Sequence, residues 1–311
     1  MDFTAGLKTA PSVLFCILFL VAGIVVTVEL LYSARKVHTL FLAKIHRSEV
    51  VFPENVSAQE IVRTHRKKLR ALLPRYLSFI IACFSEGVGY IFRVILCKGS
   101  FNVNDYIAMS TLILIGPSIE MVTILFVYRR MLKRIGCGDP LNLSPRLNRM
   151  LFFGLIVSSS VMQVVAGAKL SDPNALDEVL TYYIAGISLQ IAMFGILLFS
   201  MLKFSLTIHT HQFPHLTAHW KTMNWALFLS TTALLVRSII RLVEYKQGWE
   251  GYIMNHSWFF YVFDSTPVFL VTIFFIMGGP LYTPFVLESE TYLYNLGILN
   301  GKSEETELAS I

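Results

Sequence analysis

The sequence predicts an all-α polytopic membrane protein: a bundle of seven transmembrane helices, with the N-terminus outside and the C-terminus in the cytoplasm. Three observations carry that expectation. Of the 311 residues, 55% are hydrophobic and only 15% charged, against roughly 25% charged in a soluble domain, and the mean hydropathy is +0.61. Seven apolar stretches each approach the ~20 residues needed to cross a hydrocarbon core. Lysine and arginine crowd into alternate loops, as the positive-inside rule requires of cytoplasmic segments. This composition excludes a soluble enzyme, a disordered chain and a nucleic-acid-binding module. The net charge of +6 matters through its distribution and not its total.

The first span, Pro11 to Tyr32, is longer than the apolar core of a signal peptide, and its basic flank, Arg35 with Lys36, follows it instead of preceding it; a retained helix is expected. The loop after it holds ten basic residues between Arg35 and Arg75. Within that loop Ser57 and Glu60 have capping-box spacing, and Ile61, Val62, Leu69, Leu72 and Leu73 alternate with basic residues from Arg63 to Arg70. An amphipathic helix on the inner surface is expected, its basic face either an anionic-lipid site, at about 1 kcal/mol per basic residue, or a solvated topology determinant. The second span, Tyr76 to Leu96, carries Glu86 and Arg93; the third, Asp105 to Tyr128, carries Glu120 and leads into a second basic loop from Arg129 to Arg149. Spans four and five, Met150 to Leu170 and Val179 to Phe204, contribute Gln163 and Gln190. The sixth, Trp225 to Val243, holds Arg237 and Arg241 with Glu244 just beyond, and the seventh, Trp258 to Gly278, holds Asp264. Residues 1–287 form one membrane domain and residues 288–311 a cytoplasmic tail. No internal repeat supports an inverted-repeat transporter.

A charged side chain inside a span costs at least about 2.5 kcal/mol on insertion scales, so each needs a partner or a use. Glu86 and Arg93, seven residues apart, return to one helix face, as do Arg237, Arg241 and Glu244 at spacings of four and three. The charges either lock helix register as satisfied pairs or line a polar path. Arg237 and Asp264, at similar depth on consecutive helices, are expected to pair, with Arg241, Glu244 and Arg93 extending the network. Glu86, Glu120 and Asp264 are candidate proton or amine acceptors, and the three arginines candidate holders of a phosphate or carboxylate.

Several chemistries find no support. All eight histidines fall outside the seven apolar stretches, and the group His209, His211, His215 and His219 is interrupted by Pro214, so no metal site is expected. Only Asp264 is an aspartate well inside a span, which argues against a paired-aspartate protease. No lysine lies mid-span to carry a retinal Schiff base, and no phosphate-binding glycine loop is present. Receptor motifs are absent too: no acid precedes Arg129, and Asp264 and Pro267 occur without an Asn-Pro-x-x-Tyr. Cys16, Cys83, Cys97 and Cys137 are expected as free thiols.

Three stretches carry a resemblance. Glu86-Gly-Val-Gly89-Tyr90-Ile-Phe-Arg93, then Arg237-Ser238-Ile-Ile-Arg241-Leu-Val-Glu244 followed by Gly248 and Gly251, then Trp258-Phe-Phe-Tyr261-Val-Phe-Asp264 with Pro267, resemble the fungal RTA-like lipid-translocating exporters, a family of aminocholesterol-resistance, sphingoid-base-export and protoporphyrin-uptake proteins. Gly116-Pro117 with Tyr128 and Arg130, and Gln163 with Gly167, are similar to further elements of that pattern. The sequence departs from it at Pro11, which no tyrosine precedes, at Glu120, where a small or apolar residue is the norm, and at Ser257, in place of an acid.

The resemblance implies a non-enzymatic, cofactor-free membrane protein that moves or exports amphipathic lipids or lipophilic toxic compounds and confers resistance to them. Its expected site or path is formed by Glu86, Tyr90, Arg93, Glu120, Gln163, Gln190, Arg237, Arg241, Glu244 and Asp264. The expected membrane is the plasma membrane, with an internal membrane as alternative. The rival reading is a lipid-binding sensor that does not transport.

Overall fold

The computed structural model describes residues 9–47, 58–98, 102–135, 141, 144–169, 176–208, 219–247, 251–252 and 256–295. Among the described residues the chain is helical, without strands, and seven helices are long and apolar enough to cross a membrane. Helix α1 spans Thr9–Arg47, α2 Ala58–Arg70, α3 Leu77–Cys97, α4 Val103–Ile135, α5 Pro145–Lys169, α6 Leu176–Ile208 and α7 His219–Gln247. The seventh span, α8, joins an α-helical turn at Ser257–Phe259, a π-helical segment at Phe260–Ser265 and an α-helix at Thr266–Met277. A last helix, α9, spans Thr283–Asn295.

Most of these helices outrun the apolar stretches that announced them. Helix α1 has 39 residues, about 58 Å at 1.5 Å per residue, roughly twice the hydrocarbon thickness. Hydropathy marks the slab that a helix crosses; the backbone ladder continues past it wherever no proline or glycine intervenes. Helix α8 stays within its apolar stretch, and Gly278 with Gly279, the latter at φ 87°, turns the chain into α9. That helix crosses the 287/288 boundary drawn from sequence, and Leu287, Glu288, Ser289, Glu290 and Leu293 are buried.

The crossing helices stand in chain order around a ring, each against the next from α3 through α8, with α1 packed on α3 and on α8 to close it. Helices α4 and α7 also touch across the middle. Outward faces are bare hydrocarbon: Leu14, Ile17, Ile24 and Val28 on α1, Met150 and Phe153 on α5, and Phe199 and Leu206 on α6 are all exposed. Apolar surface this extensive is compatible with lipid and not with water. Inside, aromatic contacts tie α3 to α1 and α8, with Tyr90 stacked on Phe15 and Phe19 and Phe79 stacked on Phe275 at 4.3 Å.

At the end of the bundle where α1 finishes, α2 lies against α1 and α9. Ile61 and Leu69 are buried there, and the His65 ring stacks on Phe41 at 3.6 Å. The apolar face of this amphipathic helix therefore packs on protein, while Arg63, Arg66, Lys67 and Arg70 face outward. Ser57, its expected cap, lies outside the described residues. Glu288 of α9 receives Arg130 and Arg134 of α4, and Tyr76 donates to Pro280 O at 2.6 Å. Cys16, Cys83 and Cys97 are free thiols, and Cys137 lies outside the described residues. The described residues contain no cluster of metal-ligating side chains; His209, His211 and His215 lie outside them.

Candidate functional site

Among the described residues, seven carboxyl and guanidinium side chains are buried between the crossing helices: Glu86 and Arg93 on α3, Glu120 on α4, Arg237, Arg241 and Glu244 on α7, and Asp264 on α8. The expected Arg237–Asp264 pair is present as a charge contact, with Nε 2.9 Å from Oδ1 but its N–H not aimed at that oxygen. Asp264 is held more fully by Arg241, which donates from Nε to Oδ1 at 2.6 Å and from Nη2 to Oδ2 at 2.8 Å. The remaining Arg241 nitrogen, Nη1, donates to Glu244 Oε2 at 2.9 Å. This fork-to-carboxylate geometry is the strongest ion pairing the side chains allow, and it welds α7 to α8.

Arg237 has a second partner that follows from the sequence of α4. Pro117 has no N–H, so the carbonyl four residues earlier, Ile113 O, loses its helical donor. Arg237 Nη2 supplies the missing bond at 2.9 Å. The preceding Gly116 serves a different neighbour. A Cβ placed there would overlap the carboxylate of Glu86, so the absent side chain is the space that Glu86 occupies. Ile113, Gly116 and Glu120 fall within about 60° of one another around α4 at 100° per residue, and that face looks into the ionic core.

Arg93 departs from expectation. It makes no ion pair among the described residues; its guanidinium lies 3.8 Å from the Phe260 ring centre and 5.1 Å from that of Tyr261, and Nε donates to Tyr261 Oη at 3.2 Å. Phe260 also lies beneath Arg241, at 4.9 Å. Tyr261 Oη is 2.7 Å from Ser12 Oγ on α1, and Tyr90 Oη is hydrogen-bonded with Ser265 Oγ. The π-helical segment produces this set. Thr266 N–H bonds to Tyr261 O, five residues back, and the widened turn accommodates Pro267 while turning Tyr261, Asp264 and Ser265 inward. Phe260, Ser265 and Ser12 were not singled out from sequence, because their roles depend on that local change of helical register.

Glu86 and Glu120 are differently placed. Glu120 is fully buried, and neither of its oxygens has a hydrogen-bond partner among the described residues; Glu86 is 1% exposed, and its Oε1 also lacks one. Gln163 and Gln190 lie outside the ionic core. Gln163 Nε2 donates to Gln190 Oε1 at 3.1 Å and to Ser159 Oγ at 3.3 Å, Gln190 Nε2 donates to Ser118 Oγ at 3.3 Å, and Ser159 Oγ donates to Gly186 O at 2.8 Å. Ser118 is on the opposite face of α4 from Gly116 and Glu120, so this amide network joins α4, α5 and α6 on the far side of that helix. The ten expected site residues therefore separate into a core of eight and a pair that braces it.

Fold and site together define a seven-span helical membrane protein organised around a buried cluster of carboxylates and guanidiniums. The family model described as RTA1 like protein matches residues 79–284, and the chain belongs to that family. It is similar to protoporphyrin uptake protein 1 of Saccharomyces cerevisiae, 28% identical over 272 residues that cover 87% of this chain and 89% of the relative. It is likewise 28% identical to protein RTA1 of the same yeast over 290 residues, 91% and 86% of the two chains. The yeast sphingoid long-chain base transporter RSB1 is 22% identical over 235 residues, 63% of this chain and 62% of the relative. No solved structure matches.

Proposed function

We propose that this protein moves amphipathic lipids or lipophilic toxic compounds across a membrane, with the ionic core as the polar part of the path and resistance to such compounds as its consequence. The observation that carries the reading is the core itself: seven carboxyl and guanidinium groups buried in a bundle are more than register requires, and intramembrane charges of this kind mark substrate and ion pathways. The relatives named for protoporphyrin uptake and long-chain base transport support it. The membrane is the plasma membrane. The basic end formed by α2 and by the last turns of α4, with Arg130, Lys133 and Arg134, faces the cytoplasm, by the positive-inside rule, and the outward row Arg63, Arg66, Lys67 and Arg70 meets anionic lipid there. No chemical conversion of the lipid is involved.

The test is movement of a fluorescent long-chain base by the purified protein in liposomes. Translocation with no other protein present supports the reading; saturable binding without translocation favours a lipid sensor, acting through α9 and the basic loops.

A further inference from the structure

The core contains four carboxyl groups and three guanidiniums, and they are not paired evenly. Asp264 is matched by Arg237 and Arg241, and Glu244 by Arg241. Arg93 is spent on the Phe260 and Tyr261 rings. Glu86 and Glu120 are left over. Three of their four oxygens, both of Glu120 and Oε1 of Glu86, are buried without a hydrogen-bond partner. An ionised carboxylate cannot be held this way: buried and unbonded, it either takes a proton or takes a cation.

The surroundings of the two groups leave the same choice. From α3 the titratable neighbours are Cys83 and Tyr90, from α7 Arg237 and Arg241, and from α8 Asp264. Arg237 is the cation that acts on both glutamates, and it is already committed to Asp264 and to the Ile113 carbonyl. Cys83 is turned to Thr272, at 3.9 Å between Sγ and Oγ1, and Tyr90 to Ser265. The position of Glu86 is built in, since Gly116 leaves the room its carboxylate fills.

We propose that Glu120 and Glu86 form a proton-exchange site for a cationic headgroup, a proposal that rests on the transport reading above and names the ligand chemistry of its site. Empty, the site holds a proton on a carboxyl group. When an alkylammonium headgroup enters, the O–H bond breaks, the proton leaves to water, and the carboxylate pairs with the ammonium: R–NH3+ and Glu–COOH become R–NH3+ with Glu–COO−, plus H+. A primary ammonium carries three N–H donors, which matches the three unpartnered oxygens. An anionic headgroup would instead meet a surplus of carboxylates. Asp264, a candidate amine acceptor from sequence, has no such role, because both of its oxygens are taken by Arg241.

The experiment adds a saturated long-chain primary amine to the purified full chain in weakly buffered nanodiscs with a pH indicator, alongside its N-acetylated, uncharged counterpart. Wild type should release about one proton per amine bound and none with the acetylated compound. Glu120→Gln, checked for folding by its thermal transition, should release none and bind the amine roughly tenfold or more weakly. Infrared spectra of substrate-free wild type provide a readout that needs no variant: a carboxylic-acid C=O band that weakens when amine is added. Amine binding without proton release, or absence of that band, overturns the proposal. Lipid movement in liposomes without proton release would remove this site and leave the transport reading standing. Proton release without movement would keep the site and remove transport.

Discussion

Arg237 and Asp264 are legible as a pair in the sequence because both are charges that hydrocarbon does not tolerate alone; what the sequence conceals is how unequally they depend on each other. Removing Asp264 takes from Arg237 its carboxylate and leaves Arg241 with Glu244 alone, whereas removing Arg237 leaves Asp264 with both bonds from Arg241. Asp264→Leu should therefore cost about 3 to 5 kcal/mol, as expected for an uncompensated buried charge, and Arg237→Leu distinctly less. Denaturant midpoints of the two variants in detergent check the order, and equal losses would contradict the bonding described. The isolation of Glu120 was not readable in advance. Its position on α4 follows from helical periodicity, but whether a carboxylate there finds a donor depends on the rotamers of three neighbouring helices. Arg93 shows the same gap, since its aromatic partners are set by a π-helical turn that leaves no hydropathy signal.

Helix α4 is where local chemistry and tertiary contact meet most directly. Pro117→Ala would restore the N–H that Ile113 O lacks, and on intrinsic propensity the change favours a helix interior by roughly 3 kcal/mol. The restored bond would compete with Arg237 for that carbonyl. The expected outcome is a protein that folds at least as well and translocates more slowly, measured as melting temperature against initial rate in liposomes; unchanged transport would mean that the Arg237–Ile113 contact is incidental. Gly116→Ala tests the other neighbour: the added methyl overlaps the Glu86 carboxylate, and a loss of stability of about 1 to 3 kcal/mol is expected from overpacking. Thermal unfolding checks it. At this scale the sequence located seven spans but not the ends of the helices that carry them, because apolar content stops at the membrane surface and backbone bonding does not.

For the molecule as a whole, the seven spans followed from hydropathy and α2 from its amphipathic pattern, but the docking of α2 on α1 and α9 did not, because it depends on specific contacts of Ile61, His65 and Leu69. One joint of that docking is sensitive to acid. Arg66 Nε donates to His38 Nε2 at 3.3 Å, so His38 carries its proton on Nδ1 and presents it to His65 Nδ1, 3.4 Å away. Both rings are thus neutral in the fold, and protonating His65 would set two N–H groups face to face. The unfolded chain takes up protons near the ordinary histidine value of about 6.5; it binds more protons than the folded form below that pH, so stability of the α1–α2 contact falls as pH drops through it. Limited proteolysis near α2 should accelerate at pH 5 relative to pH 7.5, and a His65→Phe variant should lose that difference.

Glu288 sets a practical limit of another kind. Its carboxylate is the shared anchor of Arg130 and Arg134, on a helix whose second half falls in the segment read from sequence as a cytoplasmic tail. Trimming the chain at 287 would leave two cations one turn apart on α4 without their shared carboxylate, whereas a tag or fusion attached after Asn295 keeps the anchor in place. A shortened protein ending at 287 should aggregate on extraction, while one ending after Asn295 should remain monodisperse by size-exclusion chromatography.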